Sequence, residues 1–319
     1  MTLEAWILII ACILVFGVLP PFVILSYILF TILLVRNKPD KWARACSAPE
    51  DPVTQAMFDE GMAWAAKYKE KSEELSVEND GLKLFGEYFN FGSDRCVIIL
   101  GGRSESMLYS YYFAEPYRAA GMNVLVIDPR AHGLSEGKYN TVGFRESGDV
   151  LAWGRLIHEK YGINHIFLHG ICIGSQTALY ALTSKDCPDC FDGMCSEGMF
   201  RNFSLVFGNH MKERKKAVFP VLYMVMGWLW LHSGKNAVKE GPETRIFLLG
   251  KPILFLHSLE DKYSVPEESK KVYRCCRTVC REVWFEHGEH SRIRPVDTEK
   301  YDRSIREFLE TEVYPKEKI

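Results

Sequence analysis

The sequence predicts an α/β domain with a mostly parallel sheet, helices on both faces and a helical cap, preceded by an N-terminal transmembrane helix. Three features carry that expectation. Residues 5–35 contain no charged side chain, and 26 of those 31 are apolar. Beyond residue 72, short apolar runs rich in β-branched and aromatic residues alternate with helical segments. Such runs imply parallel strands covered on both faces. Residues 199–245 separate two of these runs and exceed a normal crossover, which predicts a cap.

The anchor comes first. A bilayer core needs roughly 20 apolar residues as helix. A signal peptide has a shorter apolar core, about 7–15 residues, and a small-residue cleavage site. The run at 5–35 is longer and no such site follows it. Pro20-Pro21 removes two amide donors in its middle, so one kinked span is expected. A re-entrant hairpin is the alternative, because each half alone is too short to cross. Arg36, Lys38, Lys41 and Arg44 follow the run, while only Glu4 and the terminal amine precede it. Basic flanks prefer the cytoplasmic side, which places the domain after residue 45 in the cytoplasm. The division is an anchor at 1–45, a linker and helix at 46–72, and one domain at 73–319.

The net charge of −2 gives no basic excess for a nucleic-acid partner. The ten cysteines, on the cytoplasmic reading, are free thiols. Cys187 and Cys190, with Cys276 and Cys280, have spacings open to zinc. Helical spacing would also put Cys276 and Cys280 on one face with Val272 and Val279, as small core residues. No metal or organic cofactor is expected.

Within the domain, residues 75–77 and 82–91 alternate apolar and polar side chains around Asn79-Asp80-Gly81, a hairpin pattern. The runs at 96–100, 124–128, 165–169, 191–195, 253–257 and 283–285 then read as strands. In such a sheet, function gathers at the carboxyl ends of the strands. The sharpest signal lies at one of them. His169-Gly170-Ile171-Cys172-Ile173-Gly174-Ser175 follows a strand and opens a good helix. That is the setting of a nucleophile elbow, G-x-S-x-G, with cysteine in the serine position. The other reading is a buried cysteine in a glycine-rich turn.

Further motifs make the chain resemble an α/β-hydrolase of the serine-aminopeptidase-like and monoacylglycerol-lipase-like branch, over about residues 73–313. Asp128-Pro-Arg-Ala-His-Gly-Leu-Ser-Glu-Gly is similar to the family's D-x-R-G-H-G-x-S-x-G turn. Leu100-Gly101-Gly102-Arg103 occupies the place of its H-G-x oxyanion turn, with glycine where the family has histidine. His257-Ser-Leu-Glu-Asp261-Lys-Tyr-Ser-Val-Pro266 resembles its acid loop, and His290 stands where the family has its histidine, ahead of a helix at 297–312. The resemblance implies a catalytic triad of Cys172, Asp261 and His290. Backbone amides of Arg103 and Ile173 would form the oxyanion hole. A cysteine at a helix N-terminus beside an imidazolium favours the thiolate. His287 is a rival base and Glu197 a rival acid, unless Glu197 is a solvated loop carboxylate. Asp128 and His132 look structural, the carboxylate accepting backbone amides. The Arg103 side chain either binds a substrate anion or faces solvent.

Within the cap, Lys212, Arg214, Lys215 and Lys216 precede the uncharged run 217–231 with Trp228 and Trp230. This suits a membrane interface, a lid lining an acyl pocket, or a helix buried in the core. The functional expectation is a membrane-anchored hydrolase of a carboxylic ester or thioester with an apolar acyl group. An acyltransferase working through a cysteine thioester, and a pseudo-hydrolase that binds a lipid or partner protein, are the alternatives.

Overall fold

The computed structural model describes residues 2–315. An N-terminal helix opens it, α1 (Leu3–Cys12), and runs through a π-helical stretch, Ile13–Val18, into α2 (Leu19–Leu34). The two prolines do not break it. They fall in the first turn of α2, and the preceding stretch widens to π geometry, which accommodates the missing donors. The helix is continuous over 32 residues, long and apolar enough to cross a membrane, and the hairpin alternative is not what forms. Its halves differ. α1 buries nothing, whereas α2 buries Ser26, Phe30 and Leu34.

A helix, α3 (Pro52–Lys67), follows, capped by Asp51 Oδ1, which accepts from Val53 N and Thr54 N at 3.0 Å each. The hairpin is β1 (Ser72–Asn79) and β2 (Leu82–Phe89), joined by Asp80 and Gly81, both at positive φ. This is the two-residue turn that matches strand twist. There follow β3 (Arg95–Leu100), α4 (Met107–Ser110), α5 (Glu115–Ala119), β4 (Asn123–Ile127), α6 (Glu146–Tyr161), β5 (His165–Ile171) and α7 (Ile173–Leu182). Then come β6 (Phe191–Glu197), α8 (Phe203–Glu213), α9 (Val221–Ser233), β7 (Ile253–Ser258), α10 (Pro266–Tyr273), β8 (Cys280–Phe285) and α11 (Thr298–Phe308).

The strands form one eight-stranded sheet in the order β1-β2-β4-β3-β5-β6-β7-β8. β1 and β2 are antiparallel to their neighbours, and β4, β3 and β5 to β8 pair in parallel. Each face carries its own core. Trp153, Leu179, Phe255 and Tyr273 lie in one, Phe113, Tyr117, Phe167 and Tyr301 in the other. The expected strands all form, and the carboxyl ends of the parallel strands share one edge.

The cap is α8 and α9, inserted between β6 and β7. α9 is neither wholly buried nor wholly open. Val221, Leu222, Val225, Met226 and Leu229 are buried, while Tyr223, Trp230 and Leu231 face out. Its partner is α2. Trp228 Nε1 donates to Ser26 Oγ at 3.1 Å, Tyr27 meets the Trp228 ring edge-on at 5.1 Å, and Phe30 stacks on His232 at 5.3 Å. A third apolar cluster therefore joins the end of α2, the cap and the start of α7.

One local expectation fails. Cys276 and Cys280 do not share a helix face, because α10 stops at Tyr273 and Cys280 opens β8, opposite Ile253 of β7. Val279 lies at the surface. The parallel pairing of β8 takes precedence over the helical periodicity.

Candidate active site

The elbow is built by close approach. β5 enters α7 with only Cys172 between them, at φ 53° and ψ −112°. A non-glycine residue there is strained, at a cost of order 1–3 kcal/mol. The surroundings enforce it. Cys172 N donates to Glu197 O at 2.9 Å, and Ser175 Oγ to Gly170 O at 2.7 Å. A Cβ on Gly170 would lie 2.4 Å from the Gly174 carbonyl, and one on Gly174 only 2.1 Å from Leu100 O. Both glycines are therefore required by crowding, as the motif predicts.

Asp261 and His290 meet at this edge. His290 Nδ1 lies 2.7 Å from Asp261 Oδ2. The other carboxylate oxygen accepts from Tyr263 N at 2.9 Å and Ser264 N at 2.8 Å. Burial disfavours the Asp261 carboxylate, yet the His290 charge and these donors hold its pKa below the usual value. Burial likewise opposes the imidazolium of His290, but Asp261 and Cys172 more than offset it and raise its pKa well above the ordinary histidine value. His290 Nε2 is buried and has no hydrogen-bond partner among the described residues. The rival histidine has different surroundings. The His287 side chain is 71% exposed and pairs with Glu260 at 3.1 Å.

Glu197 departs from the solvated reading. It ends β6, is buried, and accepts from Tyr301 Oη at 2.5 Å. Its Oε1 has no partner among the described residues, and burial lifts its pKa to about 7. Asp128 behaves as expected, accepting from Met107 N at 2.9 Å and Leu134 N at 3.0 Å, with Arg44 Nε 2.8 Å away.

The turn after β3, where the oxyanion hole is expected, lines the same cavity as Cys172 and His290. Ile173 is the first residue of α7, where an amide has no acceptor inside its own helix. In the turn itself, Gly102 N is taken by Glu105 Oε2 at 2.9 Å. Burial raises the pKa of Glu105 to about 7. Arg103 O lies 2.8 Å from His132 Nε2 and accepts from Asn140 Nδ2 at 3.1 Å. The Arg103 side chain turns away from solvent and donates to Leu33 O at 3.0 Å. A cavity of about 230 Å³ opens on Cys172, His290 and Glu105, walled on the cap side by Phe203 and Phe207. Glu105 and Asn140 belong to the site's surroundings without any motif to mark them. Their one sequence signal is proximity to Gly101-Gly102 and to the Asp128 turn. Among the described residues no three metal-binding side chains converge, so Cys187, Cys190, Cys276 and Cys280 do not assemble into a site.

An elbow at the end of the fifth strand, an acid after the seventh and a histidine after the eighth define an α/β-hydrolase fold. Solved structures agree on the architecture. The esterase Pf2001 of Pyrococcus furiosus matches with a TM-score of 0.66 at 22% identity, covering 78% of this chain and 94% of that one. An α/β-hydrolase from Vibrio vulnificus gives 0.61 at 17%, over 88% and 92%. The acylaminoacyl peptidase of Pyrococcus horikoshii gives 0.58 at 17%, over 78% and 42%. No family model matches the chain. The protein YqkD of Bacillus subtilis (strain 168), itself uncharacterized, is 30% identical over 219 residues, 67% of this chain and 70% of that protein. The chain belongs to the family of YqkD.

Proposed function

We propose that this chain is a membrane-anchored hydrolase that cleaves a carboxylic ester or thioester of an apolar acyl group through a Cys172 thioester. The single observation that carries this reading is the bonded pair of His290 and Asp261, with the free Nε2 of His290 beside Cys172. The Cys172 sulfur attacks the acyl carbonyl, its proton going to His290 Nε2. The tetrahedral oxyanion rests on the amides of Arg103 and Ile173. It collapses as His290 protonates the departing alcohol or thiol, leaving the acyl group on Cys172. Water then attacks, again losing its proton to His290, and the thiol and a carboxylic acid are released. Asp261 holds the imidazole tautomer and supports the imidazolium.

The apolar acyl preference is supported by Phe203 and Phe207 on the cavity wall. The esterase neighbour favours an ester over the peptide bond of the peptidase neighbour, as an analogy of fold. Residues 5–35 serve as a single-pass anchor with the domain on the cytoplasmic side. Exposed Phe219, Tyr223, Trp230 and Leu231, with the basic residues 212–216, let the cap lie against the lipid headgroups.

The test is detergent-purified protein assayed on p-nitrophenyl esters of graded chain length, with intact-mass detection of the acyl-enzyme. An acyl adduct on Cys172 that turns over in water is the expected result. Product that appears only when a thiol or alcohol acceptor is supplied would replace hydrolysis with acyl transfer. An unreactive Cys172 would leave a binding protein.

A further inference from the structure

The last turn of α2 and the oxyanion turn share a closed circuit of hydrogen bonds. Arg103 Nη1 donates to Leu33 O at 3.0 Å. Arg103 O accepts from Asn140 Nδ2 at 3.1 Å. Asn140 N returns to the helix, donating to Leu34 O at 2.9 Å. The chemistry suits the place. The final carbonyls of a helix lack internal partners and carry partial negative charge, so they accept cations. Here Lys41 Nζ covers Thr31 O at 3.0 Å and Ile32 O at 2.7 Å, and Arg103 covers Leu33 O.

The segment after the helix is fastened as well. Arg36 N donates to Lys138 O at 2.7 Å, Arg36 Nη2 to Gly133 O at 2.9 Å, and Val35 bridges to Tyr139. The second oxyanion residue meets the same helix end through apolar contact. Ile173 is buried in one cluster with Phe30, Leu34 and Val35, and Cys172 packs against it.

We propose that the end of α2 braces the active site from behind, and that Arg103 is a positioning residue. Its guanidinium grips the anchor helix and so holds its own backbone N–H in register with the oxyanion. This rests on the hydrolase reading above. It differs from a role in binding a substrate anion, because the guanidinium acts on a helix carbonyl and would set kcat where anion binding would set KM.

Two reactions of Cys172 separate the possibilities. Acylation by p-nitrophenyl butyrate passes through an oxyanion. Alkylation by iodoacetamide is a direct displacement that forms none, and peptide mass mapping distinguishes Cys172 from the other cysteines. The full chain in detergent is compared with Arg103→Leu, Arg103→Lys and Asn140→Asp. Asn140→Asp is isosteric and keeps the acceptor for Val142 N, 2.9 Å away, while losing the donor to Arg103 O. It carries the test if Arg103→Leu does not fold. Misplacing a reacting group by about 1 Å can cost about 100-fold. Arg103→Leu and Asn140→Asp should lower the acylation kcat about 10- to 100-fold, with KM and alkylation within about twofold. Arg103→Lys should recover part of the loss. Unchanged acylation, a loss confined to KM, or alkylation falling in step with acylation would overturn the proposal. No acylation in the unaltered protein would instead sink the hydrolase reading itself.

Discussion

Asp261 and Glu197 are two buried carboxyl groups at the ends of adjacent strands, β7 and β6. Both lie within reach of the charge on His290, and their environments drive them apart. Asp261 has two backbone donors and a histidine, and its pKa is held low despite burial. Glu197 has one tyrosine hydroxyl and an empty second oxygen, and its pKa rises to about 7. Depth is common to both. The charge of His290 held directly against Asp261, with its hydrogen bonds second, decides which one is a dependable anion near neutrality.

The sharpest way to break that comparison is to neutralise each carboxyl in turn. Asp261→Asn should lower kcat/KM on a short-chain ester by about 10³–10⁴-fold, since an amide presents a donor to His290 and favours the wrong tautomer. Glu197→Gln should stay within about threefold, because its carboxyl lies outside the proton path. Equal losses in the two variants would make Glu197 part of the machinery. The histidines sharpen the same contrast. His290→Ala should lose about 10³-fold or more, as triad members do. His287→Ala should remain within about twofold, as exposed substitutions generally do, and an inactive His287→Ala would reassign the base.

A third outcome concerns stability. In the unfolded chain Glu197 titrates near 4.5, and in the fold at about 7. Between those values the folded state binds more protons, so stability falls as pH rises through that window. At most about 3 kcal/mol is at stake. Glutamine does not titrate, so the Tm advantage of Glu197→Gln over the natural chain should grow from pH 5 to pH 8. A difference independent of pH would show that Glu197 ionises no differently in the fold. The smallest effect is expected for Tyr301→Phe, which removes the tyrosine donor to Glu197 and should cost about 1–2 kcal/mol in denaturant unfolding. No loss would mean that the bond contributes nothing net.

The strands, the elbow and the acid loop were all legible because each is written locally. Alternation, glycine crowding and turn chemistry act over a few residues, so Gly170, Cys172 and Gly174 announce the elbow by themselves. What was hidden depends on partners far along the chain. Leu33 contributes a carbonyl, which no side chain advertises, to an arginine 70 residues away. Glu197 read as either a rival acid or a solvated loop carboxylate, because its position follows an apolar run. The sheet order puts β6 between β5 and β7, and Glu197 at its end is buried there. The cations after the anchor illustrate a third case. Arg36, Lys41 and Arg44 were counted for membrane orientation, yet Arg36 and Arg44 are bound to the domain and Lys41 to the last carbonyls of α2. A charge count does not separate the two roles.

The continuous N-terminal helix also sets a height. At 1.5 Å per residue, its 32 residues measure about 48 Å, against about 30 Å for a hydrocarbon core. On the anchoring proposed here, about 18 Å of rigid helix stands clear of the lipid core. The upper half of that rod is clasped by α9 and by the loop at 133–140. A flexible tether would let the domain roam over the surface at any tilt. On that anchoring the rod acts as a gauge, presenting the mouth of the cavity at one elevation and one bearing.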